Sequence, residues 1–185
     1  MDGVLVDLEA GIEETLVFAD IEDDAKEQAI QVVNSGMLWQ TLQQDPRFSK
    51  GAQAIFDILS KGTEAEREAW WANLPPRGDM PVLWNHIYNY IPKPIILSAP
   101  WTIDGIVDEA CVRGKERWIR NSLPSQPQDI IITPNKKVHA DRRHILIDDM
   151  DKYVERWREA KGIAIQHTDA KNSIEVLKKR IYKNI

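Results

Sequence analysis

The chain has 185 residues, a formal net charge of -5 at pH 7 and a single cysteine, Cys111. This length suits one domain, with room for an insertion, and a sizeable core. The acidic balance argues against general binding of nucleic-acid polymers, which needs a basic surface, and one cysteine gives no disulfide framework. The sequence shows no signal-peptide pattern and no apolar run of about 18 residues, so we expect a cytoplasmic protein that does not span a membrane.

The first part of the chain is predicted to be helical. Apolar residues recur at three- and four-residue steps over residues 8 to 34, and Gly36 is a plausible helix end. Thr63 and Glu66 have capping-box spacing, so a helix should begin there. Prolines and a glycine predict a loop at residues 75 to 79. We interpret residues 11 to 79 as a small helical cap.

Helices and strands alternate in the rest of the chain. The predicted helices cover residues 80 to 90, 104 to 121, 151 to 161 and 171 to 183, and the predicted strands cover residues 95 to 97, 130 to 133, 144 to 147 and 163 to 165. Such alternation indicates a parallel sheet covered by helices on both faces. The predicted fold class is α/β, with a Rossmann-like parallel sheet in residues 1 to 10 and 80 to 185 and the helical cap as an insertion.

Carboxylates and a hydroxyl group follow two of these strands. Asp148 and Asp149 come directly after an apolar run, where adjacent carboxylates repel each other unless they share a cation. They could instead cap the following helix. Ser98 ends another strand, where its hydroxyl could hold phosphate oxygens or satisfy its own loop.

Two further segments complete the set of chemical groups. Lys136 follows a third strand, although its neighbour Lys137 makes a solvated lysine pair an open alternative. Asp2 and Gly3 precede a short apolar run, although Asp-Gly is also an ordinary turn pair. Two sets of acidic residues, a hydroxyl group and a lysine are the groups that magnesium-dependent phosphoryl transfer requires.

The order of Asp2-Gly3-Val4, Leu97-Ser98-Ala99-Pro100, Lys136 and Ile147-Asp148-Asp149 resembles the haloacid dehalogenase superfamily, in particular its 5'(3')-deoxyribonucleotidase-like branch. The resemblance implies Asp2 as general acid/base and as a magnesium ligand through its carbonyl. It implies that Ser98, Ala99 and Lys136 hold the phosphate. Asp148 and Asp149 would be near the Mg²⁺, with Asp149 the preferred direct ligand.

The same resemblance places the nucleophilic aspartate one position before Met1. Two interpretations follow, a start that is set too late or a truncated and disabled homologue. We favour the first, because the other motifs are present in order.

The implied activity is hydrolysis of nucleoside 5'(3')-monophosphates, with deoxyribonucleotides preferred, through an aspartyl-phosphate intermediate and with Mg²⁺ as cofactor. A disabled phosphate- or nucleotide-binding protein and a phosphatase for another small phosphate ester are the alternatives. The expected partner is a small-molecule nucleotide, and a homodimer is a further open expectation.

Aromatic residues are candidates for binding the base. Trp39, Trp70 and Trp71 fall in the predicted cap, where family members enclose the nucleobase, although tryptophans more often serve packing. Lys115, in the family-like Gly114-Lys115 segment, is interpreted as structural.

Overall fold

Helices dominate the first ninety residues of the computed structural model, which describes residues 1–35, 45–91 and 93–182. The described helices are α1 (Leu8–Phe18), α2 (Asp23–Asn34), α3 (Ser49–Ser60), α4 (Glu64–Ala72), α5 (Met80–Tyr90), α6 (Glu109–Ser122), α7 (Asp151–Glu159) and α8 (Ala170–Tyr182). The described strands are β1 (Ile95–Ser98), β2 (Thr102–Ile103), β3 (Ile106–Val107), β4 (Asp129–Ile132), β5 (Ile145–Asp148) and β6 (Ile163–Gln166). Single 3-10 turns cover Pro46–Phe48 and Lys136–His139.

The strands form short pairs. β1 pairs in parallel with β4, and β5 pairs in parallel with β6, whereas β2 and β3 form an antiparallel hairpin. These pairs confirm the α/β class. Within the described residues they form three separate two-stranded sheets, so the finer prediction of one Rossmann-like sheet stays a prediction.

Two predicted helices begin or end at other residues than expected. The helix predicted for residues 8 to 34 is broken, because Ala19 is extended and the acidic residues Asp23 and Asp24 begin a new helix, where they suit its positive end. The helix predicted from residue 104 begins at Glu109 instead. Asp104 and Gly105 both have positive φ, which forms the tight turn of the β2–β3 hairpin. Gly36 lies outside the described residues.

Other local predictions agree with the structure. Thr63 accepts a hydrogen bond from the Glu66 amide, and the Glu66 side chain accepts one from the Thr63 amide, so the predicted capping box is present. The helix at residues 80 to 90 and the four predicted strands are found within a residue or two.

A large hydrophobic cluster joins the predicted cap to β1 and α6, and a second, smaller cluster packs β5 and β6 against α7. Ile12, Leu16 and Trp71 from the first part belong to the same buried cluster as Ile96 and Trp118 from the second. The division at residue 79 is therefore not a boundary of packing, and the two-part organisation stays a prediction. Among the described helices, none is both long and apolar enough to cross a membrane.

Helices α4 and α6 pack closely at one point of this core. A Cβ on Gly114 would lie 2.5 Å from the Cβ of Trp71 and 2.6 Å from the Glu68 carbonyl oxygen, so a glycine is needed there. The Trp118 indole N–H donates to the Leu74 carbonyl at 2.7 Å. This close approach sets the rotation of α6 about its axis, and with it the direction in which α6 presents Lys115.

Candidate active site

Four of the predicted site residues lie at the carboxyl ends of strands. Ser98 is the last residue of β1, Lys136 begins the 3-10 turn after β4, and Asp148 ends β5, followed directly by Asp149. β1 and β4 pair in parallel, so Ser98 and Lys136 follow the same edge of one strand pair, and the contact between Lys136 and Asp148 brings the end of β5 to it. Ser98, Lys136 and Asp148 are only 1%, 6% and 2% exposed, which is unusual for polar side chains that only end a strand.

Lys115 on α6 connects Asp2 to the end of β1. Its ammonium group forms an ion pair with the Asp2 carboxylate and donates a hydrogen bond to the Ala99 carbonyl at 2.7 Å. The same group lies 3.5 Å from the Ser98 hydroxyl and 4.7 Å from the centre of the Trp71 ring. The sequence-predicted residues Asp2, Ser98 and Ala99 therefore meet around one buried cation.

Charge, and not burial, decides the ionisation of this pair. Burial alone would raise the pKa of Asp2, but the positive charges of Lys115, the Met1 amino group and Lys136 together hold that pKa below its usual value, with Lys115 contributing most. Burial alone would lower the pKa of Lys115, but the Asp2 carboxylate raises it above the usual value. Both groups are ionised at neutral pH.

Lys136 makes the second buried pair of the site. Its ammonium group lies 2.7 Å from Asp148 Oδ2, and the other oxygen of Asp148 accepts the Met150 amide at 3.1 Å. The Lys136 ammonium also lies 4.2 Å from the centre of the Tyr153 ring. Lys136 is thus the lysine of the Lys136-Lys137 pair that the structure buries, and Lys137 is exposed.

Asp149 connects the two pairs. Gly3 has φ +68°, and a Cβ on it would overlap the Asp149 carboxylate, so this carboxylate lies directly against the loop that follows Asp2. Burial, and next the negative charge of Asp148, raise the pKa of Asp149 to about 6. A cation bound beside Asp149 would therefore stabilise the ionised form of its carboxyl group.

The two carboxylates beside this loop suit the charge of a magnesium ion. Asp2 Oδ1 is buried without a hydrogen-bond partner among the described residues, and the Asp149 carboxylate forms no ion pair there. Mg²⁺ is usually held by one or two carboxylates, with waters and substrate oxygens as its other ligands. Asp148 fits less well, because both its oxygens already accept hydrogen bonds. In the part of the chain that the structure describes, no three or more His, Cys, Asp or Glu side chains are grouped as a metal site.

The candidate base-binding tryptophans have packing partners. Trp71 is 2% exposed and lies against Lys115. The Trp70 indole N–H donates to the Thr15 hydroxyl at 2.8 Å, and its ring meets Trp71 edge to face. Trp39 lies outside the described residues. A role of these rings in substrate binding stays a prediction.

Lys115 was not among the predicted site residues, and its ammonium group contacts three that were, Asp2, Ser98 and Ala99. A signal was present in the pattern of α6. Lys115 lies four residues from both Cys111 and Ile119, on the apolar stripe that the helix buries. A lysine in such a stripe needs an anionic partner, so its position predicts a buried carboxylate or a bound anion.

Comparison with known proteins yields no family model, no curated protein and no solved structure that matches the chain.

Proposed function

We propose that the chain is a magnesium-dependent phosphate monoester hydrolase of the haloacid dehalogenase type, acting on nucleoside monophosphates with deoxyribonucleotides preferred. The observation that carries the proposal is the pair of buried lysine–carboxylate contacts, Lys115 with Asp2 and Lys136 with Asp148, beside the buried Ser98 hydroxyl. Buried ion pairs cost desolvation energy and contribute little net stability. Two of them next to each other are therefore better explained by a function, such as anion binding, than by stabilisation of the fold.

Phosphate binding follows from the donors at this site. Ser98, Lys115 and Lys136 supply a hydroxyl and two ammonium groups that are shielded from water. Charge-assisted hydrogen bonds of this kind are strong, and they suit the charge that develops on the phosphoryl oxygens. In the proposal, the phosphate takes over part of the lysine contacts that Asp2 and Asp148 hold in the resting site.

That exchange gives Asp2 a role in proton transfer. Its pKa is low because Lys115 is beside it, and burial alone would raise it. When a phosphate draws the Lys115 charge away, the pKa of Asp2 rises and the carboxyl group can carry a proton to the departing alkoxide. Asp2 then accepts a proton from the water that attacks in the second step.

The proposal assigns a bound Mg²⁺ to the Asp149 carboxylate and the Asp2 backbone carbonyl, where it would neutralise charge on the phosphate oxygens and leave the Asp2 carboxyl group for proton transfer. The nucleophilic aspartate implied by the resemblance belongs to the position before Met1. Hydrolysis is therefore proposed for a chain that carries an aspartate there, and for the 185 residues alone we expect phosphate binding and weak Mg²⁺ binding.

A second candidate function is phosphate or nucleotide binding without hydrolysis. One observation favours this binding function. Asp2 and Asp148 are both paired with lysines, so carboxylate oxygens that catalysis would use are already occupied. The same lysines would still hold an anion.

Phosphate release separates the two candidates. The 185-residue chain would be compared with the same chain extended by an apolar strand ending in Asp directly before Met1, and with a matched extension ending in Asn. We expect magnesium-dependent release from nucleoside monophosphates only with Asp, because a covalent nucleophile is worth several powers of ten in rate. An Asp extension inert on 5'- and 3'-nucleotides and on sugar phosphates would overturn the enzyme proposal. Calorimetry with inorganic phosphate would then test the binding function.

A further inference from the structure

Two lysines share one aromatic ring beside the proposed phosphate site. The Lys136 ammonium lies 4.2 Å from the centre of the Tyr153 ring, and the Lys152 ammonium lies 4.9 Å from the same centre. Lys136 is neutralised by Asp148 at 2.7 Å. No carboxylate of the described residues lies within ion-pair distance of Lys152.

Arg156 adds positive charge at the same place. It lies one helical turn after Lys152 on α7, its side chain is exposed, and it too has no ion pair with a described carboxylate. Burial, and then the charges of Arg156 and Lys136, lower the pKa of Lys152, which Asp148 offsets only in part. Lys152 also lies in the first turn of α7, the positive end of the helix dipole, where a cation is unfavourable.

This concentration of positive charge stands out in a chain with a net charge of -5. The acidic residues of α7, Asp151, Glu155 and Glu159, are exposed and form no ion pair with Lys152 or Arg156. Repulsion between Lys152, Arg156 and Lys136 costs free energy that an anion would recover. Tyr153 holds Lys152 next to the site without neutralising it.

We propose that Lys152 and Arg156 form a second anion subsite beside Lys136, and that among the nucleotides this site accepts, those with a second phosphate group bind more tightly than monophosphates. The inference rests on the proposed function, because it takes Lys136 to hold the phosphate that is hydrolysed. Lys152 holds the second phosphate, which stays on the molecule. The Lys136 ammonium lies 4.2 Å and the Lys152 ammonium 4.9 Å from one ring centre, so the two groups are at most about 9 Å apart, a span that the two phosphates of one nucleotide can bridge.

Calorimetry with two probes tests the subsite. Deoxyadenosine 5'-monophosphate and deoxyadenosine 3',5'-bisphosphate would be titrated into the 185-residue chain with Mg²⁺ present. We expect the bisphosphate to bind about tenfold more tightly, the effect of one added charge-assisted contact. Lys152→Gln should remove this preference and leave the monophosphate affinity within about twofold.

The control is Lys179→Gln, which removes the same charge from an exposed position in the last turn of α8 and should change neither affinity. Equal affinity for the two probes, or an equal loss for both in Lys152→Gln, would overturn the second subsite. In either case, monophosphate binding that Lys136→Met abolishes would leave the proposed phosphate site standing. Failure of both probes to bind would overturn the phosphate site and the subsite together.

Discussion

Lys115 and Asp2 form a buried ion pair although 113 positions separate them in the sequence. The Lys115 side chain is 2% exposed and the Asp2 side chain 24%, so the lysine depends on this carboxylate for its charge. We expect Asp2→Asn to destabilise the chain by about 3 kcal/mol, because removal of one partner leaves a buried charge without compensation. Urea unfolding at pH 7.5 measures the change.

The double variant Asp2→Asn with Lys115→Met is the matched control. Removing both charges together should restore stability above that of either single variant, since an apolar side chain of similar length fills the space of the lysine. Additive losses in the double variant would show that the two side chains do not interact.

Asp149→Asn should change stability in a way that depends on pH. The folded-state pKa of Asp149 is about 6, above its usual value of 3.8, so folding favours the protonated carboxyl group. Below pH 3.8 the group is protonated in both states and costs nothing. Between pH 3.8 and about 6 the carboxyl group ionises in the unfolded chain but stays protonated in the folded chain, so the cost grows with pH and levels off above pH 6 at no more than about 3 kcal/mol.

The variant should therefore be more stable than the parent chain at pH 7.5, and the difference should vanish near pH 3.8. Unfolding curves at several pH values without divalent cations make the comparison. A difference that is the same at all pH values would contradict the raised pKa.

Local sequence rules predicted most of the helices and strands. Where a prediction was wrong, the difference has a physical cause. The capping box at Thr63 follows from two side chains three residues apart, so a single sequence shows it. The hairpin before Glu109 was missed because Asp104-Gly105 was read as part of a helix, whereas both residues adopt positive φ. How the strand pairs associate depends on contacts between distant segments, which apolar periodicity does not specify.

Local patterns also explain which residues of the candidate site the sequence could suggest. Ser98, Lys136 and Asp148 follow apolar runs, and this local pattern marks the ends of strands. Lys115 lies within a helix, and its role comes from Asp2 at the other end of the chain. Tyr153 is a similar case, because its ring becomes part of the site only through Lys136 and Lys152.

Tyr153 should support phosphate binding through the face of its ring. The Lys136 ammonium lies 4.2 Å from the ring centre, a contact worth about 0.5–2 kcal/mol. Tyr153→Leu should weaken the binding of inorganic phosphate several-fold. Tyr153→Phe should bind phosphate as the parent chain does, because it keeps the ring.

Calorimetry at pH 7.5 compares the two Tyr153 variants, and their urea midpoints control for folding. Burial, and next the charge of Asp148, raise the pKa of Tyr153, so its hydroxyl is neutral at this pH and contributes no charge. An equal loss in both variants would assign the effect to the hydroxyl group and reject the ring contact.

Gly3→Ala should disturb the contact between Asp149 and the loop that follows Asp2. Gly3 has φ +68°, where a side chain costs about 1–2 kcal/mol, and a Cβ there would overlap the Asp149 carboxylate. We expect a loss of more than about 1 kcal/mol in unfolding free energy, together with weaker Mg²⁺ binding, because Asp149 must move away from Asp2.

Gly78→Ala is the control, since a Cβ on Gly78 has no neighbour within 4 Å and its effect should stay within about 0.5 kcal/mol. Urea unfolding and calorimetric titration with Mg²⁺ measure both quantities. Unchanged Mg²⁺ affinity in a destabilised Gly3→Ala chain would show that Asp149 does not bind the ion.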